Sequence, residues 1–424
     1  LLLNEKYPFT KVLSNNNVLL ISENSIKIYD SNLVTVKGYH DFNSNEKITS
    51  EAEAQLVCFD EFQDGTSIAL IKKNLFVFSN AGIYLGVVNI NDILQNIAAE
   101  YYYNLVAYES NSPNYNIIIS FVVSPNIVIK YIKFTKNGDN SLSAASLLTS
   151  FQGKPKFSST VEGEAKSFGV SCHAINKNSI QVLMCFYEIC NPFGISVSYY
   201  SITSTTISEL QWDKDSTTNN QCSIIKSVLS PDKKKALICY TKYFDDGVCV
   251  IYDIESNHFT QETRYFAKCR GSAIGIKVYY FKERNEYMFI CNDNQKGFNV
   301  VLFNNNFEGY VPNKGEGKSE PYYQLGSYQC YYLTNFNVIY MQSFADYILI
   351  NDCDFGGEKG YITNNINLER LSDPNNNFPS DQPVNLVYEG PKTLVHPNNN
   401  YEDHPIDAPT YRETDAPTYR ETDA

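Results

Sequence analysis

The chain has 424 residues, enough for one large closed domain with an appendage or for two or three ordinary domains. At 43% hydrophobic and 14% aromatic it can build a core, which excludes wholesale disorder. A formal charge of −13 with no basic stripe argues against a nucleic-acid partner, and no apolar run reaches the ~20 residues of a membrane helix.

The opening "LLLNEKYPF" has the flavour of the end of a signal peptide but is too short to assign. There is no initiator Met, and the closing repeat "DAPTYRETDAPTYRETDA" stops partway through a copy. Together these read as a processed chain or part of a longer one.

Strand signals dominate from there on: short apolar runs rich in Ile, Val, Tyr and Phe, bounded by Asn, Asp, Gly and Ser. One hairpin pattern recurs seven times. Its copies are "NVLLISENSIKIYDSN" from Asn17, "SIALIKKNLFVFSNAG" from Ser67, "NIIISFVVSPNIVIKYIKF" from Asn116 and "QVLMCFYEICNPFGISVSYYSI" from Gln181. They continue with "KALICYTKYFDDGVCVIYDIESN" from Lys235, "YMFICNDNQKGFNVVLFNNN" from Tyr287 and "NVIYMQSFADYILINDCDF" from Asn337. Aligned on Ser22, Lys72, Ser120, Cys185, Cys239, Cys291 and Met341, the copies are spaced 50, 48, 65, 54, 52 and 50 residues apart. Further strand-like runs flank each hairpin. Four strands in ~50 residues is one propeller blade, so the expectation is an all-β, seven-bladed β-propeller over residues 1–355. Six or eight blades also fit if the 65-residue interval holds an insertion. One short helix is expected at Asp92–Glu100, with Asn91 as its cap.

The eleven cysteines follow the same period. Cys185, Cys239 and Cys291 hold one place in three successive copies, and Cys172, Cys222 and Cys269 lie upstream of them. Repeated disulfides 172–185, 222–239 and 269–291 are therefore expected, with Cys58 as the odd or intermolecular cysteine. Such pairs place the protein outside the reducing cytosol. Against this, more than forty Asn include no Asn-x-Ser/Thr sequon. Either the chain never meets the N-glycosylation machinery, or its surface is kept clear because it packs against neighbours.

The copies lack the WD dipeptide of WD40 blades and the paired glycines of kelch. Their texture, as in "NVLLISENSIKIYDSN", resembles the N-terminal repeat regions of large cell-surface proteins of ciliate protozoa, over roughly residues 8–355. The resemblance implies an extracellular, structural or adhesive setting and brings no catalytic residues. In the family cysteine-rich modules often follow; here a proline-bearing octapeptide array follows the propeller.

Motifs that carry chemistry are scarce. "GEGKSE" at Gly315–Glu320 lacks the first glycine of a phosphate loop. Ser171-Cys172-His173 sets a thiol beside an imidazole, but neighbours on a strand point to opposite faces and cannot act as nucleophile and base. The acidic turns "DEFQDG", "DDG", "NDNQKG" and "NDCDFGG" do not match a calcium loop and suit hairpins anyway. "PYYQLGSYQCYYL" and "EYYYN" are candidate sugar-stacking surfaces. No catalytic residue, metal or cofactor is expected.

From Gly356 the texture turns rich in Pro and Asn, giving an expected extended arm over 356–406 with one apolar run, "VNLVYEG". The octapeptide DAPTYRET then repeats over 407–424. Proline sets each copy toward extended geometry. Pro409, Tyr411 and Arg412, then Pro417, Tyr419 and Arg420, are candidate tether contacts, and Thr410, Thr414, Thr418 and Thr422 are candidate O-glycan sites. The expected function is a non-enzymatic structural subunit of an extracellular fibre or surface coat. The propeller would be its rigid body, copies of itself its partners, and the repeat its tether. The alternative is a cell-surface recognition propeller, binding a glycan or protein, on a repeat stalk.

Overall fold

The structure is a computed structural model. It describes residues 9–366 apart from connecting segments, the longest being 95–102, 154–165, 215–221, 269–275, 305–322 and 326–335. All described residues fall within one compact unit, Leu3–Glu389.

Among the described residues, seven antiparallel sheets follow one another along the chain. The first holds β1 (Phe9–Val12), β2 (Val18–Ile21), β3 (Ser25–Tyr29) and β4 (Val36–Asp41). The second holds β5 (Cys58–Glu61), β6 (Ser67–Ile71), β7 (Asn74–Phe78) and β8 (Tyr84–Asn89). The third is β9 (Tyr103–Asn111), β10 (Asn114–Val123), β11 (Asn126–Thr135) and β12 (Ser146–Gly153). In the fourth are β13 (Lys166–Asn176), β14 (Ser179–Tyr187), β15 (Gly194–Ile202) and β16 (Ile207–Lys214). The fifth has β17 (Cys222–Leu229), β18 (Lys235–Lys242) and β19 (Asp246–Asp253), with β20 (His258–Phe259) and β21 (Arg264–Lys268) both paired to β19. The sixth runs β22 (Ile276–Phe281), β23 (Glu286–Asp293), β24 (Gly297–Phe303) and β25 (Tyr323–Leu325). The seventh has β26 (Phe336–Met341), β27 (Asp346–Phe355) and β28 (Glu358–Ile366).

The arrangement is an all-β propeller, with one sheet for each copy of the repeated hairpin. In the first six sheets the hairpin forms the second and third strands. In the seventh it is β26 and β27, and residues 326–335 before them lie outside the described residues. Among the described residues, sheets 1 to 6 pack face to face, each pair of neighbours sharing an apolar core. Leu19, Ile28 and Phe76 share one between sheets 1 and 2; Ile68, Leu75, Ile117 and Ile132 share one between sheets 2 and 3. Further cores join sheets 3 and 4, 4 and 5, and 5 and 6. The ring returns on itself, because β26 packs beside β1.

This packing explains the sequence texture. A second or third strand is covered on both faces, so "VLLI" in β2 and "SIALI" in β6 are buried at every position. The fourth strands lie at the rim and alternate or stay exposed, as in β4 and β12. At the tight turn between β6 and β7, Ile71 pairs with Asn74, and Lys72 and Lys73 both take positive φ (47° and 65°). Asn-Gly normally supplies that geometry. Here the turn is tied down from outside: Lys72 Nζ lies 3.0 Å from Glu53 Oε1, and the Lys73 carbonyl accepts the Ile90 N–H at 3.1 Å.

Two expectations need correcting. The seventh sheet does not stop at residue 355, since β28 pairs along β27 from Phe355–Glu358 to Tyr347–Ile366. "EKGYITNNI" looked like Asn-rich arm because it is a rim strand with few apolar residues. Where the helix is expected to start, residues 91–94 form a turn. The N–H groups of Ile93 and Leu94 donate to the Ile90 carbonyl at 3.1 and 3.0 Å, and Asn89 Oδ1, not Asn91, accepts a backbone N–H there. Residues 95–100 of the expected helix lie outside the described residues.

Candidate functional site

The first strands of the sheets run side by side around the axis. Where the C-terminal ends of β5, β9, β13 and β17 meet, they enclose a pocket of about 250 Å3. Its wall includes Asp60, Glu61, Glu109, His173, Ser110 and Lys233. Each of these strands has one edge hydrogen-bonded within its own sheet and the other turned to the axis, so side chains from neighbouring sheets must satisfy the inner edge.

Asp60 does this for β9. The pairing of β9 with β10 slips by one residue between Ala107 and Glu109, leaving Tyr108 as a bulge, and Asp60 Oδ2 accepts the Ala107 N–H at 2.7 Å. Burial pushes the Asp60 carboxyl up to about 6, opposed by that hydrogen bond and by Lys11. Between sheets 4 and 5 the link is neutral: Ser227 Oγ donates to Ser171 Oγ at 2.7 Å, and His173 Nε2 lies 2.7 Å from Ser227 Oγ. Burial, helped by Lys233, lowers the His173 imidazole to about 4, so the ring stays uncharged at neutral pH. Lys233 itself caps the rim, its Nζ donating to the Ala174 carbonyl at 3.0 Å.

The alternation expected of Ser171-Cys172-His173 is present. Cys172 turns the other way, into the core between sheets 3 and 4, where burial pushes its thiol up to about 12. In the acidic turn "DEFQDG", Asp64 accepts from the Thr66 N–H at 2.9 Å and from the Tyr115 hydroxyl of the next sheet at 2.7 Å. Asp60 entered the sequence reading only as part of that turn. Ser227 and Lys233 gave no local signal at all, because the pocket is assembled from four repeats.

The cysteines pair differently from the repeat-based expectation. Cys239 is bonded to Cys249, its directly opposed neighbour on β19, with Cα atoms 4.1 Å apart. It is not bonded to Cys222, because the register sets Cys239 against Lys226 and Cys222 against Lys242. Cys172 is a free buried thiol, since it faces Val182 while Cys185 faces Gly169. Cys291 is disulfide-bonded, and Cys269 lies outside the described residues. Cys58 carries a thiol, pushed by burial up to about 11, with its Sγ 3.7 Å from the Leu56 carbonyl. The candidate tether and glycan positions, Pro409 to Thr422, also lie outside the described residues, as do "GEGKSE" and "VNLVYEG".

Asp60 offers a direct check of the pocket. Asp60→Ala removes the acceptor of a buried N–H and should cost about 1–3 kcal/mol. Asp60→Asn keeps an acceptor and should cost clearly less in urea unfolding at pH 7. The folded pKa of Asp60 lies above its ordinary value of 3.8, so the folded state holds the extra proton between about pH 4 and 6. Stability supplied by that group therefore falls as pH rises through the window, and Asp60→Asn should flatten the profile there. Equal losses for the two variants would mean that Asp60 does not serve the β9 edge.

No family model matches the sequence, and no curated protein matches it. Among solved structures the chain is similar to propellers. One belongs to the yeast heterotrimeric Nup82-Nup159-Nup116 nucleoporin complex, at 9% identity over 86% of this chain and 99% of that one, with a TM-score of 0.44. Another is the WD40 domain of SCAP from fission yeast, at 8% identity over 84% and 86%, with a TM-score of 0.41. A third is the Nup133 β-propeller domain of Vanderwaltozyma polyspora, at 8% identity over 71% and 80%, with a TM-score of 0.43. These likenesses carry no argument about ligand, partner or activity.

Proposed function

We propose that the chain is an extracellular recognition propeller, whose axial pocket takes a glycan or a protein side chain and whose C-terminal repeat serves as its stalk. The observation that carries this reading is the pocket itself. It is concave, lies where four sheets converge, and mixes carboxylates, a serine, an imidazole and an ammonium group. The Cys239–Cys249 disulfide supports an oxidising compartment. The test is glycan-array binding by the monomeric full chain beside Ser110→Trp, which fills the pocket mouth. Saturable binding by the parent and a loss of at least tenfold in the variant is the expected result.

A second reading, a structural subunit of a fibre or surface coat, is favoured by the perfect copies of DAPTYRET. Fibres in micrographs of purified material, lost on deleting residues 407–424, together with no saturable glycan binding, would replace the first reading with this one.

A further inference from the structure

The two sides of the axial pocket differ in kind. Sheets 2 and 3 contribute three carboxylates, Asp60, Glu61 and Glu109, while sheets 4 and 5 contribute His173, Leu229 and Lys233. Each carboxylate is held by uncharged donors. Asp60 Oδ2 accepts the Ala107 N–H at 2.7 Å. Glu61 is anchored from sheet 1, accepting the Ser14 N–H at 2.9 Å and the Ser14 hydroxyl at 2.6 Å. Glu109 accepts from the side-chain amides of Asn111 at 2.7 Å and Asn116 at 3.2 Å. These bonds fix the carboxylates in place without cancelling their charge.

Lys233 does not cancel it either. Its Nζ donates to the Ala174 carbonyl at 3.0 Å, across the pocket from the carboxylates. Lys11 on β1 is exposed, and the ion pairs among the described residues all lie elsewhere in the molecule. A further acceptor belongs to the same wall. Tyr108, the bulged residue between Ala107 and Glu109, lines the pocket, and its hydroxyl is buried with no hydrogen-bond partner among the described residues. Like charges confined in a partly buried cavity repel one another until a cation sits among them. The group that suits such a wall carries positive charge and several N–H donors and needs no donor in return. An ammonium has three such donors and a guanidinium five, whereas a sugar hydroxyl brings no charge.

We infer that the axial pocket selects a protonated amine or a guanidinium, held by Asp60, Glu61 and Glu109. The inference rests on the recognition reading and sharpens it, since it names the charged group the ligand presents. That group can come from a lysine or arginine side chain or from an amino sugar.

The experiment is a saturation-transfer NMR titration of the full chain with N-acetyl-lysine methylamide, N-acetyl-arginine methylamide and glucosamine. Each is run beside an uncharged counterpart, N-acetyl-norleucine methylamide for the first two and N-acetylglucosamine for the third. At least one cationic probe should bind saturably, at least tenfold tighter than its counterpart. Ser110→Trp should abolish that binding, and Glu109→Gln should weaken it at least fivefold. The comparison of charged with uncharged probes uses the parent chain, so it decides the matter even where Glu109→Gln fails to fold. Binding of the amino-acid probes alone assigns the cation to a protein partner, and binding of glucosamine alone assigns it to a glycan; either supports the inference. It is overturned if no cationic probe binds, if charged and uncharged probes bind equally, or if either folded variant binds as the parent does. Saturable binding of uncharged glycans on the array, without preference for a cation, overturns it and leaves the recognition reading standing. A cationic probe bound in the pocket, with no glycan bound on the array and fibres lost on deleting residues 407–424, overturns the recognition reading and leaves the cation site.

Discussion

Phe76→Ala is expected to lower the unfolding free energy by about 3–5 kcal/mol, the usual cost of deleting a fully buried phenylalanine. Phe76 lies on β7 with no exposed surface, in the core between sheets 1 and 2. Its ring centroid is 5.5 Å from that of Phe42 and 5.3 Å from that of His40, and His40 in turn stacks on Tyr84 at 4.6 Å. Little nearby can collapse into the void. His40 Nε2 is held 3.1 Å from Glu46 Oε2, and rim strands β4 and β8 touch backbone to backbone. A Cβ added at Gly38 would meet the Gly82 carbonyl oxygen at 2.0 Å, so those strands have no room to move inward. Against a domain stability of roughly 5–15 kcal/mol, the change removes a large share. Urea unfolding at constant slope measures it, with Leu210→Ala, at a 59% exposed rim position, as a control expected to stay within about 0.5 kcal/mol. A loss below 1 kcal/mol for Phe76→Ala would mean that sheets 1 and 2 do not share the core described.

The second large effect belongs to the disulfide. Cys239→Ala/Cys249→Ala should cost about 2–3 kcal/mol by the chain-entropy argument, because the link closes a loop with a sequence separation of 10. The bond bridges β18 and β19 inside the core between sheets 5 and 6, where both residues are buried. The two alanines therefore also give up sulfur packing. Mass spectrometry of unreduced peptides identifies the link directly: a 239–249 cross-link is expected. A 222–239 cross-link would require Cys222 to move from its place opposite Lys242 to one opposite Cys239, a slide of three residues along β18. Ten or eleven free thiols would return the chain to the cytosol and remove the extracellular setting of the proposed function.

The repeated hairpin was legible in the sequence because strands buried on both faces leave continuous apolar runs, as in "VLLI" and "SIALI", and no other local structure mimics seven such runs at one period. Rim strands leave a weaker trace, so the Asn-rich sequence of β28 reads as arm. The disulfide partner could not be read from cysteine spacing. Opposition across a sheet depends on register, and the register of β17, β18 and β19 follows from which faces the neighbouring sheets cover. The axial chemistry was hidden for a related reason. Asp60, His173 and Ser227 lie on three different strands, more than 50 residues apart in sequence, and nothing local marks them as partners. The sequence by itself determined that the chain folds as repeated strand pairs with apolar faces, because burial acts on every residue of a strand. Only closure of the ring decided which polar side chains meet, because that closure turns one edge of each first strand toward a common axis and leaves its polar groups to find partners across it.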